Sequence, residues 1–208
     1  TGNTMRGNFI GVDLSGEDSL PNAIGVSITG NASNNTIGGL ASSDRNLISG
    51  NTGDGVFIGS GANNNSVHGN YIGTDAFGSD EAGNGGNGVQ ILGGNSNSIG
   101  SSLLGGANII ADNDGSGVII TANDAPGNVV DGNHIGLNLT GAPMGNGGDG
   151  VSIIRSSGNT IGSPGVGSII SSNGVVGVRI EGTIGTDATA NVVQSNLIGT
   201  DNSGNNPS

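Results

Sequence analysis

The sequence predicts an all-β fold, a parallel β-solenoid of about six and a half coils with three short strands each, and three observations carry that prediction. Apolar residues are too few for a thick core: 45 glycines, 32% apolar residues, three Phe, one Tyr and no Trp among 208 residues. Val and Ile nevertheless recur singly or in pairs at fixed distances from Asn and Gly, as in strands and unlike in a disordered tail. The chain also repeats itself: NFIGVD from Asn8 returns as NYIGTD from Asn70, NHIGLN from Asn133 and NLIGTD from Asn196, at intervals of 62, 63 and 63 residues.

Within that long period sits a shorter unit. Gly-Val-x-Ile begins at Gly25, Gly55, Gly88, Gly117, Gly150 and Gly177, spaced by 30, 33, 29, 33 and 27 residues. Two Asn-led segments follow in each coil. The first Asn falls at Asn3, Asn35, Asn65, Asn97, Asn128, Asn159 and Asn191, the second at Asn8, Asn46, Asn70, Asn108, Asn133, Ser168 and Asn196. A unit this short cannot bury its own apolar face, so copies must stack. Alternation along a strand sends Val26 and Ile28 inward and Ser27 outward, giving aliphatic ladders inside the rod. Asn at matching positions predicts amide ladders at the bends, and the Gly before each Val predicts a corner of unusual φ.

Coils alternate in where they carry extra residues. Insertions at 38–45, 100–107 and 162–167 lie between the two Asn segments, whereas those at 14–23, 76–87 and 139–149 follow the second one. Such loops emerge on one side of a solenoid and line its binding surface.

The pattern Gly-Val-x-Ile, Asn-x-Ile, Asn-x-Ile-x-x-Asn resembles the right-handed parallel β-helix repeats of the pectate-lyase-like superfamily over almost the whole chain, Asn3 to Asp201. The resemblance implies a right-handed helix and a connection with carbohydrate. Such coils serve lyases, hydrolases, uronate epimerases, tailspikes, adhesins and carbohydrate-binding modules, so function must be argued from a site. Residues 1–208 are expected to be one β-helix domain within a longer multidomain protein.

Charge narrows the partners. The formal net charge is −12, with no lysine and only Arg6, Arg45, Arg155 and Arg179 as cations, so neither nucleic acid nor an anionic membrane is an expected partner. Cysteine is absent, which removes thiol chemistry and disulfides. An acidic, lysine-free surface rich in Asn, Ser and Thr fits an extracellular or cell-surface protein.

Catalytic constellations are hard to assemble from these residues. A β-helix lyase needs a strong base beside acidic calcium ligands on an outer sheet face. The outward column of the Gly-Val strands reads Ser27, Phe57, Gln90, Ile119, Ser152 and Arg179, where only Arg179 has the chemistry and Glu181 is its near neighbour. Hydrolase-like carboxylate pairs occur only in the insertions, as Glu17 with Asp18 and Asp80 with Glu81. Asp13, Asp75 and Asp201 are equivalent by repeat, with Asn138 at the fourth position. They either ligate calcium, which prefers the hard oxygen donors of this setting, or cap their own turns. No cofactor is otherwise required.

The column with most information is the outward position of the second Asn strand: Phe9, Leu47, Tyr71, Ile109, His134, Ile169 and Leu197. An exposed face should be polar there, as its sister column is at Thr4, Thr36, Ser66, Ser98 and Thr160. Two coils span about 9.6 Å, roughly two units of an extended β-linked glycan, so Phe9, Tyr71, His134 and Leu197, with His68 beside them, are the expected saccharide contacts. Phe57, Gln90 and Arg179 form an alternative face. The competing reading is that the insertions fold over the stripe and bury it. The expected function is a non-catalytic module that binds a plant-type polysaccharide such as xylan, linked in cis to a carbohydrate-active catalytic domain. A structural or adhesive spacer is the alternative, and a lyase or hydrolase the third reading.

Overall fold

The computed structural model describes residues 1–122, 125–165, 167–201 and 203–204. It is a parallel β-helix built from three sheets. Each sheet collects one segment of the repeat. The first Asn segments form seven strands from Thr4–Met5 to Val192–Val193, the second Asn segments seven from Phe9–Ile10 to Leu197–Ile198, and the Gly-Val segments six from Val26–Ile28 to Val178–Glu181. Pairing is parallel and in register, so Val26 lies on Val56, Val56 on Val89, Val118 on Val151 and Val151 on Val178. No α-helix occurs among the described residues; a single 3-10 turn, Ser42–Asp44, sits in an insertion.

Inside, the alternation resolves as expected. Ile48, Ile58, Ile72, Ile91, Ile99, Ile110, Ile120, Ile135, Ile153, Ile161 and Ile170 are all sealed from solvent in one continuous core. Such stacks bury much apolar area per residue despite the scarcity of large side chains.

Three Asn ladders, not two, run along the corners. In the first, each carboxamide nitrogen donates to the Oδ1 of the next coil, at 2.8 Å from Asn35 to Asn65 and 3.0 Å from Asn65 to Asn97. The second is formed by Asn8, Asn46, Asn70, Asn108 and Asn133 and is interrupted at Ser168, whose Oγ accepts only the Asn133 backbone N–H, at 3.1 Å. The third links Asn22, Asn51, Asn84, Asn113, Asn146 and Asn173. These residues stand four places before the Gly of Gly-Val, three in the first coil, a regularity visible in the sequence.

The glycine expectation needs correcting. The Gly before each Val does not have positive φ; a Cβ at Gly55 would lie 2.8 Å from the Gly88 carbonyl oxygen and 2.8 Å from an Ile72 methyl, so close packing at the corner excludes a side chain. The left-handed conformation belongs instead to the Gly after Asn-x-Ile, such as Gly73 at φ 89° and Gly136 at φ 85°.

Candidate functional site

The insertions decide which part of the apolar column meets solvent. Those following the second Asn strand return as small hairpins, with antiparallel bridges between Val12 and Ser19, Thr74 and Glu81, and Leu137 and Pro143. Gly78, at the tip of one hairpin, lies so close to the Tyr71 ring that a Cβ there would sit 2.8 Å from Cζ. Tyr71 is also roofed by Arg45, whose guanidinium carbon is 4.1 Å from the ring centroid. Tyr71 is consequently only 3% exposed and forms a satellite core with Val12, Leu47 and Ile109. Burial, opposed by the Arg45 charge, pushes its phenol above the ordinary tyrosine range.

Tyr71 is therefore corrected from a saccharide platform to a packed residue. Phe9 is 47% exposed on the first coil and partly backed by Gly16. His68 is half-buried at the neighbouring corner, its Nδ1 sealed and without a partner.

Two coils beyond Tyr71 the same column opens. A cleft of about 510 Å³ lies over His134, with Ile169 and Leu197 on its floor, the 101–107 loop as one wall and Gly165 and Gly167 at the other. Residue 107, directly before the ladder Asn, is Ala; its equivalent one unit earlier is Arg45, the roof of Tyr71. The insertion on the far side is also shorter: Asn159 to Ser168 is ten residues, whereas Asn35 to Asn46 and Asn97 to Asn108 are each twelve. Leu103 and Leu104, on the cleft wall, are 62% and 98% exposed.

The chemistry of the cleft is polar without being cationic. Ser101, Ser102 and Ser195 contribute to its lining, and none of the four arginines does. His134 is half-buried with its Nδ1 sealed from solvent and unpartnered; burial lowers its pKa below the usual imidazole value, while the Asn138 backbone pulls the other way. The ring is neutral at physiological pH. Behind it, Asp131 accepts a hydrogen bond from the Ser163 hydroxyl at 2.8 Å.

The remaining expected sites are otherwise engaged. Arg179 donates from Nε to Asp149 Oδ2 at 2.6 Å and from an Nη to Oδ1 at 3.1 Å, with Glu181 at 3.7 Å. This bond holds the Asp149 carboxyl below the usual carboxylate range, and Ser152 donates to the same oxygen. Arg179 is thus an ion-pair partner, its guanidinium made still less able to lose a proton. Phe57 and Gln90 stand half-buried on the same sheet as adjacent rungs, away from the cleft lining. Asp13, Asp75 and Asp201 each accept hydrogen bonds from their own turns, from Gly16 N–H, Ser79 N–H and Ser203 N–H respectively. Among the described residues, no group of three or more His, Asp or Glu converges as a metal site would need.

His134 and Leu197, expected saccharide contacts, both line this cleft, and the 100–107 insertion supplies its wall; what the sequence reading did not single out is that the stripe opens at this coil and is closed at Tyr71. The clue was a comparison of insertion lengths and of residues 45, 107 and 167.

No protein-family model matches the chain, and no curated protein matches it in sequence. Among solved structures it is similar to the periplasmic alginate epimerase AlgG, with a TM-score of 0.51 and 14% identity over 94% of this chain. The chain spans 44% of the length of that protein. This likeness supports the parallel β-helix. It also corrects the expectation of a non-catalytic chain: the solved β-helix it superposes on is an enzyme, so the fold gives no ground for excluding activity.

Proposed function

We propose that this chain is a polysaccharide-binding β-helix of a secreted, carbohydrate-active protein, and that it seats a short stretch of neutral extended glycan, of the xylan kind, in the cleft over His134. One observation carries the reading: a stripe closed over Leu47, Tyr71 and Ile109 opens over His134, where an apolar floor of Ile169 and Leu197 meets serine hydroxyls and a neutral imidazole. A sugar ring presents the complementary surfaces, a C–H face and a belt of hydroxyls, and sites of this kind combine apolar walls with a few placed polar groups. A purely mechanical spacer would need no such departure from the repeat.

AlgG is an alginate epimerase, and alginate is a polymer of carboxylated sugars. The cleft here has no arginine in its lining and belongs to a chain of net charge −12, which favours an uncharged glycan over a polyuronate. Calorimetry against xylan, β-glucan, mannan, pectin and alginate, with product analysis of each incubation and with and without calcium, tests the reading. Binding of a neutral glycan is expected, weakened at least about tenfold by His134→Ala, a loss near 1.4 kcal/mol. Failure of every glycan to bind rejects the proposal, and selective binding of alginate or pectin rejects its charge argument.

A further inference from the structure

We propose that Arg45 is a built-in plug in a second saccharide subsite, standing over the Tyr71 ring where a pyranose face would otherwise stack. This rests on the reading of the His134 cleft and extends it to the equivalent place one repeat earlier.

The two places correspond residue for residue. Arg45 and Ala107 each directly precede an Asn of the second ladder, and Tyr71 and His134 each lie in the following coil, reached in register through Leu47 and Ile109. At the later place the small Ala107 leaves a cleft. At the earlier one a planar guanidinium fills the space, 4.1 Å from the ring centroid. Its Nε is buried without a hydrogen-bond partner among the described residues, whose ion pairs belong to Arg6 and Arg179. A cation over an aromatic face is held with modest energy and occupies the surface that the C–H face of a sugar uses. Two coils separate the places by about 9.6 Å, the length of roughly two units of an extended glycan.

The chain has one tyrosine and no tryptophan, which makes Tyr71 emission a reporter of this one place. Trimeric and octameric xylo-oligosaccharides are titrated into the wild-type chain and into Arg45→Ala, with affinity read by calorimetry and tyrosine emission read in parallel. Arg45→Gly, which copies the residue at position 167, is the second variant; both replacements copy residues the repeat already carries there, and thermal melts check that each folds.

In the wild type, ligand should leave tyrosine emission unchanged. In the variants, the octamer should bind at least about tenfold more tightly through a second linked contact, the trimer gain should be smaller, and tyrosine emission should respond. Octamer binding equal to wild type with a silent tyrosine overturns the plug, as does a wild-type tyrosine that already responds at saturation. Binding by the variants alone, with a tyrosine response, retains the plug and removes the His134 cleft; silence of all the proteins removes both.

Discussion

The strands bearing Tyr71 and His134 are the same element two coils apart, yet one is roofed and the other lies under an open cleft. Around Tyr71, Arg45 covers the ring, and the twelve-residue stretches Asn35 to Asn46 and Asn97 to Asn108 bring their loops together: Gly69 N–H donates to the Gly106 carbonyl and Gly105 abuts the Leu40 carbonyl. The amide ladder beneath, from Asn46 through Asn70 to Asn108, is unbroken. Around His134 the roof residue is Ala107, the next insertion is two residues shorter, and the ladder is interrupted at Ser168. The opening arises here by subtraction from a repeat, with the closed copy as an internal control.

The comparison can be broken first by side-chain removal. Tyr71→Ala empties a packed position and should cost about 4 kcal/mol, whereas His134→Ala, at the wall of an existing cleft, should cost about 1 kcal/mol. Thermal melts of the two variants check the contrast; equal losses would show that His134 is as much core as Tyr71. In the ladder, Asn108 donates to the Val67 carbonyl and Asn133 Oδ1 while accepting from Asn70 N–H and Nδ2. Asn108→Leu strands those buried partners and should cost about 3 kcal/mol, while Ser168→Asn, which adds a ladder rung beside an Asn133 Nδ2 that already donates to the Ile99 and Asp131 carbonyls, should shift stability by less than about 1 kcal/mol. Urea midpoints measure both; a larger loss in Ser168→Asn would mean that the interruption is required by the packing beneath the cleft.

The two places also answer to pH from opposite sides. His134 has a folded-state pKa below its ordinary 6.5, so the unfolded chain takes up protons first as the medium acidifies. Its contribution is complete above pH 6.5 and is lost as pH falls through the folded value. Tyr71 has a folded-state pKa above 10.0, so its contribution is complete below pH 10.0 and is lost as pH rises through the folded value. His134→Gln should flatten the acid limb of a stability profile and leave the alkaline limb, and Tyr71→Phe should do the reverse. A profile whose acid limb survives His134→Gln unchanged would assign that limb to carboxylates such as Asp149, whose folded pKa is also lowered.

Much of the fold was legible because its determinants are local and periodic: an Ile every coil, an Asn at each bend, a Gly where the chain turns. The third ladder was equally periodic, but insertion-bearing segments separate Asn22, Asn84 and Asn146 from the preceding Asn strands. The role of Gly55 was misread because proximity to another coil, unlike φ preference, is set by packing across the axis. At the site, the column of Phe9, Tyr71 and His134 was legible and its covering was not. Exposure depends on how loops from neighbouring coils meet, and Arg45 over Tyr71 and Ala107 at the cleft occupy equivalent positions of one unchanged pattern.

A comparably small expected effect isolates Arg45. Arg45→Ala forfeits a cation–π contact of about 0.5–1 kcal/mol, and because the Nε has no hydrogen-bond partner to strand, little else should be lost. Its thermal midpoint should fall by only about 1–4 °C for a chain of this size, while tyrosine emission becomes accessible to a neutral quencher such as acrylamide. A fall several times larger would mean that Arg45 ties the 38–45 insertion to the rod, in which case closure at Tyr71 is a requirement of folding and the openness at His134 has to be stabilised by the shorter 162–167 insertion alone.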